Sequence, residues 1–178
     1  GMPCGGKMEV YVEPFLPQPE LMLVGQGRIA ELVAELGRLL HFRVTVNSPG
    51  ATREDFPFAD QLITDDTDYQ KINPGLNSYV IVLTQHKGDQ QVIQAALSGT
   101  PRYIGLVASA KRSRLVVEYL KEGGMDADAL RQVLRAPCGL DLGGRTPEEI
   151  ALSIITEVVK LRHERTGLSM MEVKQCSI

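Results

Sequence analysis

Two stretches of this chain gather polar chemistry within a few residues. In Leu21-Met-Leu-Val-Gly25-Gln26-Gly27-Arg28-Ile-Ala30 an apolar run stops at Gly-x-Gly-x-x-Ala. Glycine at position 25 makes a tight turn, Gly27 lets backbone amides approach a phosphate, and Ala30 permits close packing of a helix on a strand. In Thr84-Gln85-His86-Lys87-Gly88-Asp89 a hydroxyl, an amide, an imidazole, a cation and a carboxylate follow another apolar run. Gln85 and Lys87 suit a phosphate or a polar ring. Asp89 either orients them or only occupies the positive end of a helix, which is worth about 0.3–1 kcal/mol. His86 has no second ligand or nucleophile near it in sequence, so neither a metal site nor an acid–base pair follows from it.

The second place to look is the ribose position. Dinucleotide-binding domains carry Asp or Glu about 20 residues past the glycines, to hold ribose hydroxyls. This chain has Asn47 there, then Ser48, with Arg53 further on. Asparagine still bonds a hydroxyl but does not repel a phosphate, so a phosphorylated ribose or a pterin phosphate fits as well as NAD. The alternative is a plain turn residue. Ser109 and Arg112 open a further strand-to-helix turn. No Gly-x-Ser-x-Gly, His-Glu-x-x-His or Walker lysine pattern occurs, which removes motif support for hydrolase or NTPase chemistry. No catalytic set and no metal site is expected.

The three cysteines, Cys4, Cys138 and Cys176, lack Cys-x-x-Cys spacing. That pattern suits reduced thiols in the cytoplasm. Cys4, in Pro3-Cys4-Gly5-Gly6, is either a reactive thiol held exposed by glycines or a terminal thiol without a role. Cys138 reads as a small packing residue, and Cys176 falls in the tail.

The elements that must position these groups follow from apolar spacing. Leu21–Val24 reads as a strand, and Ile29, Leu32, Val33, Leu36, Leu39 and Leu40 fall at helical intervals. Phe42–Asn47 alternates as a second strand, residues 48–58 form a loop, and Leu62-Ile63 makes a brief third strand. The acidic run Asp65–Asp68 is expected to be a solvated face. Tyr79–Leu83 is the continuous apolar run of a strand covered on both faces. A helix with Val92, Ile93, Ala96 and Leu97 follows, ended by Gly99, and Tyr103–Val107 is the next strand. Ser109 caps a helix whose buried stripe is expected at Leu115, Val116, Tyr119 and Leu120. Asp126 caps a shorter helix containing Leu130, Val133 and Leu134. Thr146-Pro-Glu-Glu149 is a capping box before Ile150, Ile154, Ile155, Val158 and Leu161.

Strands alternating with helices predict an α/β fold: a Rossmann-like, doubly wound, mostly parallel sheet with helices on both faces. Met8–Glu13 alternates too, and is expected as an added N-terminal strand or a homodimer contact. The 178 residues suit one domain, with 1–19 as an extension and 168–178 as a flexible tail. A net charge of −3 speaks against a nucleic-acid surface. No apolar run is long enough for a membrane span, no signal-like segment precedes the first strand, and Gly1 before Met2 reads as a tag remnant.

Several segments together resemble the XdhC/CoxI family, accessory proteins of molybdenum hydroxylases such as xanthine and carbon-monoxide dehydrogenases. They are Cys4–Pro14, Val24–Ala30, Thr84–Asp89 and Ala136-Pro-Cys-Gly-Leu-Asp-Leu-Gly-Gly144, the last running into Arg145-Thr-Pro-Glu-Glu-Ile-Ala-Leu-Ser-Ile154. Pro-x-Gly-Leu-Asp-x-Gly followed by Thr-Pro-Glu-Glu-Ile-Ala is the specific part, and only the family's C-terminal Rossmann-like part is matched. The resemblance implies a protein that binds the molybdenum cofactor (molybdopterin), protects it, supports its sulfuration and delivers it to the hydroxylase apoenzyme, without turnover of its own. By position it implicates Cys4; Gly25, Gly27 and Ala30; Thr84, Gln85 and Asp89; Ser109 and Arg112; and Pro137, Gly139, Asp141 and Gly143. Three departures stand out. The family's N-terminal domain is not matched, so a separately encoded half is an expected partner. Thr-Gln replaces the frequent Thr-His at Thr84, and Asn47-Ser-Pro replaces an acidic feature. The other readings are an NAD(P)-dependent oxidoreductase and a nucleotide-binding regulatory or dimerising module.

Overall fold

Six strands pair side by side, all parallel, in the spatial order third, second, first, fourth, fifth, sixth. The computed structural model describes residues 9–11, 17–85 and 88–175. Along the chain the elements are β1 (Glu20–Gly25), α1 (Arg28–Leu39), β2 (Arg43–Asn47), β3 (Gln61–Ile63), β4 (Ser78–Leu83), α2 (Asp89–Leu97), β5 (Tyr103–Leu106), α3 (Ala110–Glu122), α4 (Ala127–Val133), β6 (Leu134–Arg135), α5 (Pro147–Arg162) and α6 (Met170–Lys174). This is the Rossmann-like doubly wound α/β fold, and its strand order reverses between β1 and β4.

Two cores lie on opposite faces of the sheet because side chains alternate along each strand. Leu21, Leu23, Val44, Val46, Tyr79 and Ile81 join Val33 of α1 and Ile154 and Val158 of α5. Met22, Val24, Val80, Val82, Ile104 and Leu106 join Val92 of α2, Val116 and Leu120 of α3 and Leu130 of α4. Central β4 is buried at every position, which is why its sequence is an unbroken apolar run. Thr146 caps α5 through the Glu149 amide at 3.2 Å, and the Glu149 carboxylate accepts the Thr146 amide at 3.0 Å.

Three expectations need correction. The acidic run is not simply solvated: Asp66 is only 4 % exposed and accepts three N–H groups, described below. On α3, Leu115 and Tyr119 are 57 % and 54 % exposed, and the buried set is Ser113, Val116 and Leu120. The apolar residues of that helix straddle two faces, and the sheet takes the one centred on Val116. Leu134 does not end α4; with Arg135 it forms β6 beside Ile104 and Gly105. Two residues are too few to show a strand period in sequence.

Half of the expected strand Met8–Glu13 lies outside the described residues; Glu9, Val10 and Tyr11 are described, exposed and in no strand. Among the described residues no helix is long and apolar enough to cross a membrane.

Candidate functional site

Only glycine fits where β1 ends. Gly25 has φ 127°, and a Cβ there would lie 2.2 Å from the Leu83 carbonyl oxygen. That close approach lets β1 stop flush against β4, at the reversal of strand order. Gly27 (φ 101°) is the N-cap of α1 and no side chain caps it. The first amides of α1 thus keep donors for an anion, reinforced by the helix dipole. Ala30 is fully buried, as close contact between α1 and the sheet requires.

Gln85 lies over this turn. Its φ is 50°, and a Cβ on Gly27 would come within 3.2 Å of its Nε2. Three adjoining clefts open around the pair, each lined in part by Gln26 and Gln85. The first, about 300 Å³, is bounded by Gly25, Asn47, Ser48, Pro49, Tyr69, Leu83 and Thr84. The second, also about 300 Å³, runs past Gly27, Glu31 and Phe56. The third, about 570 Å³, passes Arg28, Val107 and Pro147. Together they form a trough along the carboxyl ends of the strands, where ligands of open α/β sheets bind.

Of the residues singled out in the sequence, Gly25, Gln26, Gly27, Arg28, Asn47, Ser48, Thr84 and Gln85 line this trough. Asp89, Ser109 and Arg112 support it from behind. Asp89, 2 % exposed, accepts the Thr84 hydroxyl with one oxygen and Arg112 Nε with the other, the latter at 2.7 Å. Ser109 caps α3 by accepting the Arg112 amide at 3.3 Å. Asp89 thus ties Thr84 to Arg112. Lys87, His86, Cys4 and Cys176 lie outside the described residues.

The late loop stands apart. Pro137, joined to Ala136 by a cis peptide, Gly139, Asp141 and Gly143 line none of the three clefts. Their loop is tied to β5 and α5: the Cys138 amide donates to Leu106 O at 3.0 Å, and the Gly139 amide to Glu157 Oε2 at 2.8 Å. Glu157 also accepts the Tyr103 hydroxyl at 2.5 Å. Burial, and then the charge of Glu157, push the Cys138 thiol up to about 12. Burial, with the charges of Cys138 and Glu157 behind it, drives the Tyr103 phenol far above its usual range.

Sequence reasoning missed Tyr69, which lines the first cleft, and Asp66, which holds the cleft residue Asn47 from behind. Asp66 accepts Asn47 Nδ2 at 2.6 Å, the Gln70 amide at 2.8 Å and the Lys71 amide at 3.0 Å. Neighbouring Asp65 and Asp68 conceal it, and no local pattern separates the buried one. Tyr69 holds φ 58° and lies against Gly88, where a Cβ would come within 2.7 Å of the ring. Burial, then the charges of Asp89 and Asp66, raise its phenol pKa. A glycine opposite an aromatic 19 positions earlier leaves no trace in local spacing.

Comparison with known proteins places this geometry. The profile of the XdhC Rossmann domain matches residues 21–158. The chain belongs to that family. An uncharacterized protein, YqeB, of Escherichia coli (strain K12) is 27 % identical over 97 % of this chain and 32 % of its own length. A probable xanthine dehydrogenase subunit of Bacillus subtilis (strain 168) is 30 % identical over 86 % of this chain and 46 % of its own. A crystal structure described as a xanthine dehydrogenase from Bacillus halodurans superposes with a TM-score of 0.71 at 26 % identity, covering 88 % of this chain and 46 % of that one. The chain thus spans about a third to a half of the curated relatives it matches. The late-loop segment that carried the resemblance lines none of the three clefts described above.

Proposed function

We propose that this XdhC domain holds the molybdenum cofactor at its glycine turn and passes it to an apoenzyme of the xanthine or carbon-monoxide dehydrogenase type, with no turnover of its own. The observation that carries this reading is the open trough at the uncapped N-terminus of α1. A phosphate group would sit against the amides following Gly27, with Arg28 beside it. The Gln85 amide lies close over Gly27, so a ligand at this turn would be met by that amide as well as by the backbone. The lining offers amides, hydroxyls and a buried amide oxygen, suited to a heterocycle rich in hydrogen-bonding edges. The name of the Bacillus subtilis relative supports a xanthine dehydrogenase client.

Anaerobic calorimetry with molybdopterin tests the reading. One-to-one binding that is lost in Gly27→Val is expected; no binding to the unsubstituted chain overturns it. The glycine turn also favours a second reading, an NAD(P)-dependent oxidoreductase. That reading requires thermal stabilisation by saturating NADH or NADPH, about 2.7 kcal/mol at a hundredfold excess over Kd.

A further inference from the structure

Asparagine at the ribose position can turn either end of its amide outward. Here Asp66 removes the choice. Asn47 Nδ2 donates to Asp66 Oδ2 at 2.6 Å, and Asp66 is itself fixed by the Gln70 and Lys71 amides at 2.8 and 3.0 Å. The acceptor end is left over: Asn47 is 1 % exposed, lines the first cleft, and its Oδ1 has no hydrogen-bond partner. A buried acceptor without a donor is costly, and a ligand donor at this position would recover that cost.

No lysine or arginine is among the described residues lining this cleft. Arg53, the nearest candidate in sequence, donates to the Ala59 carbonyl at 2.5 Å. Lys71 reaches Asp65 at 2.7 Å. A phosphate beside Asn47 would therefore face a carbonyl oxygen backed by a buried carboxylate, with no cation among the described lining residues to offset it.

Resting on the cofactor-holding reading above, we infer that Asp66, through Asn47, sets the selectivity of this cleft: it takes a phosphorylated ligand whose other end is an uncharged hydrogen-bond donor, and it rejects a phosphate at that end. The carboxylate that dinucleotide-binding domains place on β2 is supplied here from the segment after β3, one amide removed. The donor is a free ribose hydroxyl or a ring N–H of a pterin, and both satisfy the same acceptor.

The experiment is calorimetry of the full chain with ADP-ribose, ADP-ribose 2′-phosphate and molybdopterin, repeated on Asp66→Asn and Asn47→Ser. Tighter binding of ADP-ribose than of its 2′-phosphate, by about tenfold or more, with the gap narrowed in Asp66→Asn, supports the inference with a ribose as source. Binding of molybdopterin alone, weakened about tenfold in Asn47→Ser, supports it with a pterin as source. The comparison of the two nucleotides on the unsubstituted chain stands even where a variant fails to fold. Equal binding of both nucleotides, a preference for the 2′-phosphate, or molybdopterin binding indifferent to Asn47→Ser overturns the inference and leaves cofactor holding intact. Binding of none of the three overturns both.

Discussion

Asp89, in the first turn of α2, grips Arg112, in the first turn of α3, at 2.7 Å, with 3 % and 25 % of their side chains exposed. The same carboxylate receives the hydroxyl of Thr84 at the end of β4. One buried acid thus joins a strand end and two helix starts behind the trough.

The two halves of this pair are not equivalent. Without Asp89, the guanidinium of Arg112 can turn to solvent, and the loss is that of two hydrogen bonds. Without Arg112, a buried carboxylate is stranded. We expect Arg112→Met to cost about 3 kcal/mol and Asp89→Asn about 1–2 kcal/mol, read from urea unfolding. The reverse order would show that the ion pair is not what holds α2 and α3 together.

Gly25 and Gly50 separate strain from collision. Both have positive φ, 127° and 79°, but a Cβ at Gly25 meets the Leu83 carbonyl at 2.2 Å whereas nothing lies within 4 Å at Gly50. Gly50→Ala should cost about 1 kcal/mol, at the low end of backbone strain. Gly25→Ala adds the displacement of β4 and should cost about 3 kcal/mol or more. Equilibrium unfolding of both variants measures the difference, and equal losses would mean that β1 does not need its flush contact with β4.

What the sequence reveals of this molecule divides by how local the cause is. The β1–α1–β2 unit is legible because apolar period, glycine turn and helix spacing all act within about 25 residues, and each agrees with the others. The capping box of α5 is legible for the same reason. Thr84, Asp89 and Arg112 are legible as types at strand ends, although which of them anchors the others needs the packed structure. Asp66 and Tyr69 are not legible, since their roles depend on Asn47 and Gly88, brought alongside only by the fold. The late loop is legible as a family motif, whereas its fastening of β5 to α5 through Gly139 and Glu157 depends on partners that only the fold brings together.

Cys138 should be inert in the folded chain. Although the residue is partly exposed, its thiol sits against Tyr103 and Glu157, and its pKa near 12 leaves almost no thiolate at pH 8. In a Cys4→Ser, Cys176→Ser background, a disulfide reagent at pH 8 should label Cys138 only at the rate of unfolding, with full labelling in denaturant. Prompt labelling of the folded chain would place the thiol outside this buried cluster.

The capping box of α5 couples stability to acid and reaches the trough. Thr146→Ala removes the cap and should cost about 1 kcal/mol. Glu149, hydrogen-bonded first by the Thr146 amide and then by that of Arg145, has its carboxyl held below the usual glutamate range. A folded-state value lowered in this way stabilises fully above the unfolded-state range and is lost as pH falls through the folded value. Glu149→Gln should therefore lower the melting temperature at pH 7, and the gap to the unsubstituted chain should close as pH falls below the glutamate range. Pro147, the first residue of α5, lines the third cleft beside Arg28, and Arg28 reaches Glu148 across the gap at 3.4 Å. Loosening the first turn of α5 should then weaken ligand binding more than a cap removed at Ser169, since α6 lines none of the three clefts. Thermal melts from pH 3 to 7 and ligand titration of Thr146→Ala and Ser169→Ala check both halves. Equal effects of the two caps on binding would detach α5 from the wall of the site.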